Sequence, residues 1–468
     1  MTPKLRVGVG RLVDNPTGPD TVFELLAHHF NTHAIVVGMT GSGKTGFVTV
    51  LAEEAMGAGI PVLIIDVKSD LPNLLLAFAS FDPEHMLPWA EASRGPGDER
   101  SVQEIAAAMA AARRKELEAW GITEAHLKAW HGRTSIRVIT PGSTAGEALH
   151  LLSSLERRNP LWDSDVESAR ATLSAAISLV MRLIGRDPDP AKSREHVLLS
   201  VLAERRLLAG ESAELGALLQ EVIEPPIAEI GALPIDEFIG KGDRKALAAG
   251  LNTLLGSPTF AAWRLGATLN IGEWLTPKDG KTPAVILSVA HLDDDERMLV
   301  LGVIFEELLS WMRTLNGSQR LRAMVIFDEV YGFIPPHPAN PPTKRPLVSL
   351  MKQARAFGVG MVLATQNPMD LDYRSLANAG LWCISRLQTD ADRERMVDGL
   401  STAGDPDSAR KIGQLVKRLK PRNFLVRNVH TGELTVVQAR CAMTTMRGPM
   451  TRSELMAALK ARDRSGPE

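Results

Sequence analysis

Four apolar residues, Ala34 to Val37, run into Gly38, and after four intervening residues come Gly43, Lys44 and Thr45, followed by a helical pattern. This order leaves the chain few options. A buried strand must end, a loop must turn through backbone angles that suit glycine, and a helix must begin with its positive end facing that loop. Gly38, Gly41 and Gly43 let successive N–H groups converge on one anion, with Thr40, Ser42 and Gly46 completing the loop. Lys44 would reach the β- and γ-phosphates and the Thr45 hydroxyl would ligate a metal. The stretch therefore predicts a strand–loop–helix unit that holds ATP with Mg²⁺.

Further apolar runs at 61–65, 136–139, 284–289, 324–327, 360–365 and 382–387 are mostly continuous, as expected of parallel strands buried on both faces. Helical patterns separate them, so the fold class is α/β with a largely parallel central sheet. Leu301, Ile304, Phe305, Leu308 and Met312 make one apolar stripe behind Asp293, Asp294 and Asp295, acids suited to a helix N-terminus. "NFLVRN" and "LTVVQA" around His430–Glu433 read as a hairpin. Residues 145–280 differ: Leu173, Ala176, Ile177, Val180 and Ile184 mark a helical stripe closed by Gly185, in a mostly helical insertion. The expected division is 1–144 and 281–445 for the two parts of the core, 145–280 for the insertion and 446–468 for a polar tail. Residues 335–346, rich in proline, read as a loop.

The strand "MVIF" ends in Asp328-Glu329, at the sheet edge where ligands bind in open α/β folds. Asp328 would hold the metal through water and Glu329 would polarise the attacking water. Gln366 ends another strand, where its side chain can sense the γ-phosphate. The region around the glycine loop offers no second cation in sequence. Two arginines are candidates for completing a neighbouring subunit's site, Arg386 first and Arg355 second. With 53 basic against 55 acidic residues, the net charge of −2 supplies no global field for nucleic acid. Basic clusters at Lys344-Arg345 and at Lys411, Lys417, Arg418, Lys420 and Arg422 are the local alternatives, the first preferred. Only Cys383 and Cys441 occur, which points to a reducing cytoplasm and away from zinc. No apolar run is long enough to span a membrane, and "MTPKLRVGVGRLVDNP" lacks a signal peptide's apolar region.

Taken in order, "HAIVVGMTGSGKTG", "VLIIDVKSDLPNLL", "VIFDEV" and "KQARAFGVGMVLATQNPMDLD" resemble the HerA-like branch of the HerA/FtsK ATPases. The resemblance covers roughly 1–150 and 281–445. It implies a RecA-like P-loop core, ATP hydrolysis, a hexameric ring and translocation on double-stranded DNA. It also implies the nucleotide-site roles of Lys44, Thr45, Asp328, Glu329 and Gln366, with a looser match at Arg386. The 33 residues ahead of the first core strand are too few for HerA's nuclease-docking β-barrel. Two other outcomes stay open: a ring that ATP assembles around a separate nuclease or defence effector, and a secretion-type motor for protein substrates.

Overall fold

The computed structural model describes residues 2–95, 97–366, 371–372, 379–387, 389–400 and 406–464. The apolar runs become strands whose alternate side chains enter two different cores. Ile35, Val37, Leu63 and Ile65 face one side of the sheet, and Ala34, Val36, Val62 and Ile64 face the other. Burial on both faces explains why these runs are continuous rather than alternating.

Eleven of the described strands form one sheet: β1 (Lys4–Leu12), β2 (Thr21–Leu26), β3 (Ala34–Val37), β4 (Val62–Asp66), β5 (Thr134–Ile139), β6 (Thr282–Ser288), β7 (Ala323–Phe327), β8 (Val359–Thr365), β9 (Leu381–Ile384), β10 (Asn423–Asn428) and β11 (Leu434–Ala439). Their spatial order is β2-β1-β11-β10-β9-β3-β8-β7-β4-β6-β5. From β9 to β5 every pairing is parallel. From β10 to β2 every pairing is antiparallel, as is the join between β9 and β10. Strand β8 thus lies between the strand that enters the glycine loop, β3, and the strand that ends in the acids, β7. The RecA-like α/β architecture expected from the sequence is the one observed.

Helix α1 (Lys44–Gly57) follows the glycine loop and packs Phe47 on Phe424 of β10, ring centroids 4.4 Å apart. In the 145–280 segment the main helices are α2 (Val166–Leu183), α3 (Arg194–Leu208), α4 (Leu215–Ile223) and α5 (Lys241–Gly256). Leu173, Ala176, Ile177 and Val180 of α2 join the same apolar cluster as one face of the sheet, and Gly185 turns the chain at φ 71°. Helix α6 (Asp294–Arg313) starts on a capping box between Asp293 and Glu296 and buries Leu301, Ile304, Phe305, Leu308 and Met312.

Three regions depart from expectation. The first 26 residues contain two strands that extend the sheet, where the apolar pattern predicts none. Gly8 and Gly10 of β1 weaken the strand signal, yet a Cβ on Gly8 would sit 2.0 Å from the Gln438 carbonyl oxygen, so close pairing requires glycine there. The expected tail contains a helix, α8 (Arg452–Arg464), docked through Leu455 and Ala458. The expected proline-rich loop is shorter than its composition suggests, because α7 (Lys344–Gln353) begins within it. Pro346 is tolerated in a first turn, where its missing N–H has no intrahelical partner.

The antiparallel flank is tied to α1 by charge. Arg440, just beyond β11, donates to Glu53 Oε2 and Glu54 Oε1, both at 2.8 Å, and also to the Cys441 carbonyl. The Thr444 N–H donates to the other Glu53 oxygen at 3.1 Å. The side chains of Glu53 and Arg440 are 0% and 3% exposed. Arg440→Ala is expected to lower the unfolding free energy in urea by about 3–5 kcal/mol, since it strands a buried carboxylate. Replacing Glu53 and Arg440 together by leucine is expected to recover most of that loss. Equal losses in both variants would show that packing rather than pairing holds α1 here.

Candidate active site

The loop after β3 keeps the geometry its glycines allow. Gly41 and Gly43 have φ of 76° and 95°, and a Cβ on Gly43 would meet the backbone of Arg422 at 3.0–3.1 Å. Gly43 is the N-cap of helix α1 and offers no side-chain cap, so the N–H groups of the first turn have no such partner. An uncapped, positive helix end beside flexible glycines fits a phosphate group.

Strand order brings the remaining residues to this loop. Asp328 and Glu329 follow β7, and Gln366 follows β8, one strand closer to the loop. The Thr45 hydroxyl donates to Asp328 Oδ2 at 3.2 Å. Lys44 Nζ lies 2.7 Å from Glu329 Oε1 and is 5% exposed. Gln366 donates through Nε2 to Glu329 Oε1 and accepts through Oε1 from the exposed Thr40 hydroxyl at 2.6 Å. The loop, both acids and the glutamine thus form one connected cluster. The continuation of the glutamine motif, 367–370, lies outside the described residues.

Glu329 adopts φ 58°, a left-handed conformation that costs a non-glycine residue about 1–3 kcal/mol. Its carboxylate interactions offset that strain. Burial opposes ionisation, but Lys44, Lys68 and Gln366 outweigh it and hold the carboxyl below its ordinary range. Asp328 shows the opposite balance. Burial, reinforced by Glu329, pushes it up to about 6 against the pull of Lys44 and Thr45. Lys44 is itself lowered by burial. Thr45 and Asp328 supply the hard oxygen donors that suit Mg²⁺.

The second cation that the sequence around the glycine loop does not offer is brought to the site by the fold from elsewhere in the chain. Lys68 Nζ is 2.9 Å from Glu329 Oε1, on the half-exposed side of the site. The cause is a turn after β4. Asp66, buried and pushed up to about 6 mainly by desolvation, accepts from the Ser288 hydroxyl at 2.9 Å and from the Asp70 N–H at 3.2 Å. Ser69 bends the turn at φ 62°, and Lys68 projects back across the sheet edge. The signal available in sequence is "IIDVKSD", an acid ending a strand and followed by a lysine.

The arginines separate. Arg386 follows β9, the neighbour of β3, and its carbonyl accepts from the Met39 N–H of its own glycine loop at 2.9 Å. Its side chain is exposed rather than buried in a strand. Arg355 precedes β8 and is exposed at the opposite edge of the sheet, beside Lys352, His28 and His430. The seven residues of β8 span about 20 Å, so Arg355 cannot reach the site of its own chain.

The basic clusters separate as well. Lys344 donates to the Ala339 carbonyl at 3.0 Å, and Arg345 pairs with Glu306 at 2.7 Å. Arg422 donates to the Ala439 carbonyl from its side chain and to the Ser42 carbonyl from its backbone N–H, behind the glycine loop. Lys417, Arg418 and Lys420 are exposed, and the side chain of Lys411 lies outside the described residues.

Comparison with known proteins agrees with this geometry. The profile of the family described as "Helicase HerA-like C-terminal" matches residues 13–82, which include the glycine loop and β4. Among solved structures, VirB4 of Thermoanaerobacter pseudethanolicus is similar at TM-score 0.52 and 13% identity, over 93% of this chain and 96% of that one. The bacterial conjugative coupling protein TrwBΔN70 is similar at 0.51 and 13%, over 92% and 89%. Plasmid coupling protein TrwB in complex with ADP and Mg²⁺ is similar at 0.50 and 13%, over 91% and 88%. At this identity the likeness is one of fold. No curated protein matches the sequence.

Lys68→Met is expected to slow ATP turnover about 10- to 100-fold, the worth of one charge-assisted hydrogen bond. Affinity for a non-hydrolysable nucleotide should stay close to wild type, with Lys68→Arg retaining intermediate turnover. An equal loss of affinity and rate would assign Lys68 to phosphate binding instead.

Proposed function

We propose that this chain, an ATP hydrolase with the RecA-like P-loop fold and the HerA-like helicase C-terminal signature, works as a Mg²⁺-dependent ring motor on double-stranded DNA. The reading is carried by the convergence of Lys44, Thr45, Asp328, Glu329 and Gln366 at the carboxyl ends of three adjacent strands. In it, the loop N–H groups of 38–46 and Lys44 hold the phosphates. Thr45 and Asp328 would hold Mg²⁺, which would supply charge neutralisation at the phosphate oxygens. Glu329 takes a proton from the attacking water, Gln366 orients that water, and ADP and phosphate leave. Lys68 steadies the Glu329 carboxylate and adds positive charge on the exposed side.

Ring formation is supported by the position of Arg355. An exposed guanidinium about 20 Å from its own site by strand length is suited to a neighbour's site. An arginine supplied in trans accelerates phosphoryl transfer by about 10³–10⁵. Arg386, next to its own loop, is better suited to act in cis. This order reverses the preference drawn from sequence. Glu329→Gln subunits and Arg355→Ala subunits are each expected to be inactive alone, and mixing them is expected to restore part of the ATPase activity. Arg386→Ala in place of Arg355→Ala is expected to give no such recovery. Full activity of a monomer, or of Arg355→Ala alone, would rule out a shared site.

For the DNA track, Lys417, Arg418 and Lys420 are favoured over Lys344 and Arg345, because the latter pair is engaged within the chain. Changing the three exposed residues to alanine is expected to weaken binding equally for unrelated duplexes. The salt dependence should fall by about 0.9 in log–log slope for each phosphate no longer neutralised. DNA-stimulated ATP turnover separates this motor from an effector-assembling ring or a protein-secretion motor; its absence at low salt would favour those readings.

A further inference from the structure

Lys68 has little of its own to aim it at Glu329. Its side chain is 47% exposed, and its ammonium sits on a flexible four-carbon stem. Asp70, two residues on, also attracts it. The shape of the turn after β4 therefore decides which acid Lys68 meets. That turn holds Ser69 at φ 62°, a conformation a non-glycine residue keeps only where its surroundings impose it.

The surroundings come from far along the chain. The Met450 N–H donates to the Ser69 carbonyl at 2.9 Å. Asn73, just beyond the turn and 0% exposed, is bonded through each of its polar groups. Its Nδ2 donates to the Asp70 carbonyl at 2.7 Å and to the Gly448 carbonyl at 2.8 Å, and its Oδ1 accepts from the Arg447 N–H at 3.3 Å. Its backbone carbonyl accepts from the Thr444 hydroxyl, and its N–H reaches the Asp70 carbonyl at 3.3 Å. Residues 444–450 thus run along the turn as a strap. Only an amide fits at 73, because a carboxylate of the same shape would set a negative oxygen against two carbonyls.

The strap is also tied to α1. Thr444, 1% exposed, bonds Asn73 through its hydroxyl and Glu53 through its N–H at 3.1 Å. Its carbonyl accepts from Arg113 at 2.7 Å. Glu53 lies on the helix whose first residue is Lys44. One buried residue therefore joins the helix that carries Lys44 to the turn that carries Lys68. Both lysines end on the same oxygen, Glu329 Oε1, at 2.7 Å and 2.9 Å.

We propose that Asn73 and Thr444 are positioning residues for ATP hydrolysis: through them the strap of 444–450 fixes the turn after β4 and so holds Lys68 on Glu329. The proposal rests on the reading that Lys68 steadies the Glu329 carboxylate. It adds the device that keeps Lys68 in register with Lys44.

A double-mutant cycle in ATP turnover tests it. Asn73→Asp keeps the shape and is expected to lower kcat about 10-fold, with affinity for a non-hydrolysable nucleotide within about 2-fold of wild type. Thr444→Val keeps the N–H to Glu53 and is expected to lower kcat about 3-fold. Thermal unfolding checks that each variant is folded, and Thr444→Val carries the cycle if Asn73→Asp is not. In the Lys68→Met background either substitution is expected to change kcat by less than about 2-fold, because the group it aims is gone. Losses that persist in that background, or that fall on affinity and rate alike, would show a merely structural role and overturn the proposal. So would wild-type turnover in both single variants. Wild-type turnover in Lys68→Met alone would overturn the reading of Lys68, and this proposal with it.

Discussion

The carboxylate of Glu329 is where four distant pieces of chain are held together. Lys44 reaches it from α1, Lys68 from the turn after β4, Gln366 from the end of β8, and its own backbone is bent into a left-handed conformation to meet them. A carboxylate this buried requires partners, and a strained residue requires surroundings that over-determine it. Each requirement is met by the other. Two lysines also balance the adjacent Asp328, whose own ionisation is disfavoured by burial and by Glu329. The acid pair therefore divides into one carboxyl held firmly anionic and one poised to gain from a cation.

That arrangement depends on sheet order. Only because β8 runs between β3 and β7 can a glutamine at its end bridge Thr40 of the loop and Glu329 of the acid strand. The loop is also held from behind. Arg422 packs against Gly43 and bonds the Ser42 carbonyl, while Arg440 anchors α1 through Glu53 and Glu54. The antiparallel flank, built from both ends of the chain, thus works as a brace for the phosphate loop.

The helical segment shares its core with the opposite face of the sheet, so α6 is both a wall of the nucleotide-binding half and a floor for the helices of 145–280. Motion of that segment against α6 would act on the element that precedes β7.

Local patterns determined much by themselves. The glycine spacing, the continuous strands, the acid pair and the α6 stripe each lie within a window of a few turns or one strand, where periodicity and backbone preference act directly. Pairings across hundreds of residues were decided by tertiary structure. Lys68 lies in the "IIDVKSD" stretch, but its meeting with Glu329 depends on which strands are neighbours. β1 is masked by the glycines that let it approach β11, and the helix in the supposed tail is short and mostly polar. The roles open to Arg355 and Arg386 turn on which end of the sheet each occupies, a property of strand direction that no local pattern encodes. Short-range sterics and apolar periodicity are written along the chain, whereas electrostatic partnership is a matter of distance in space.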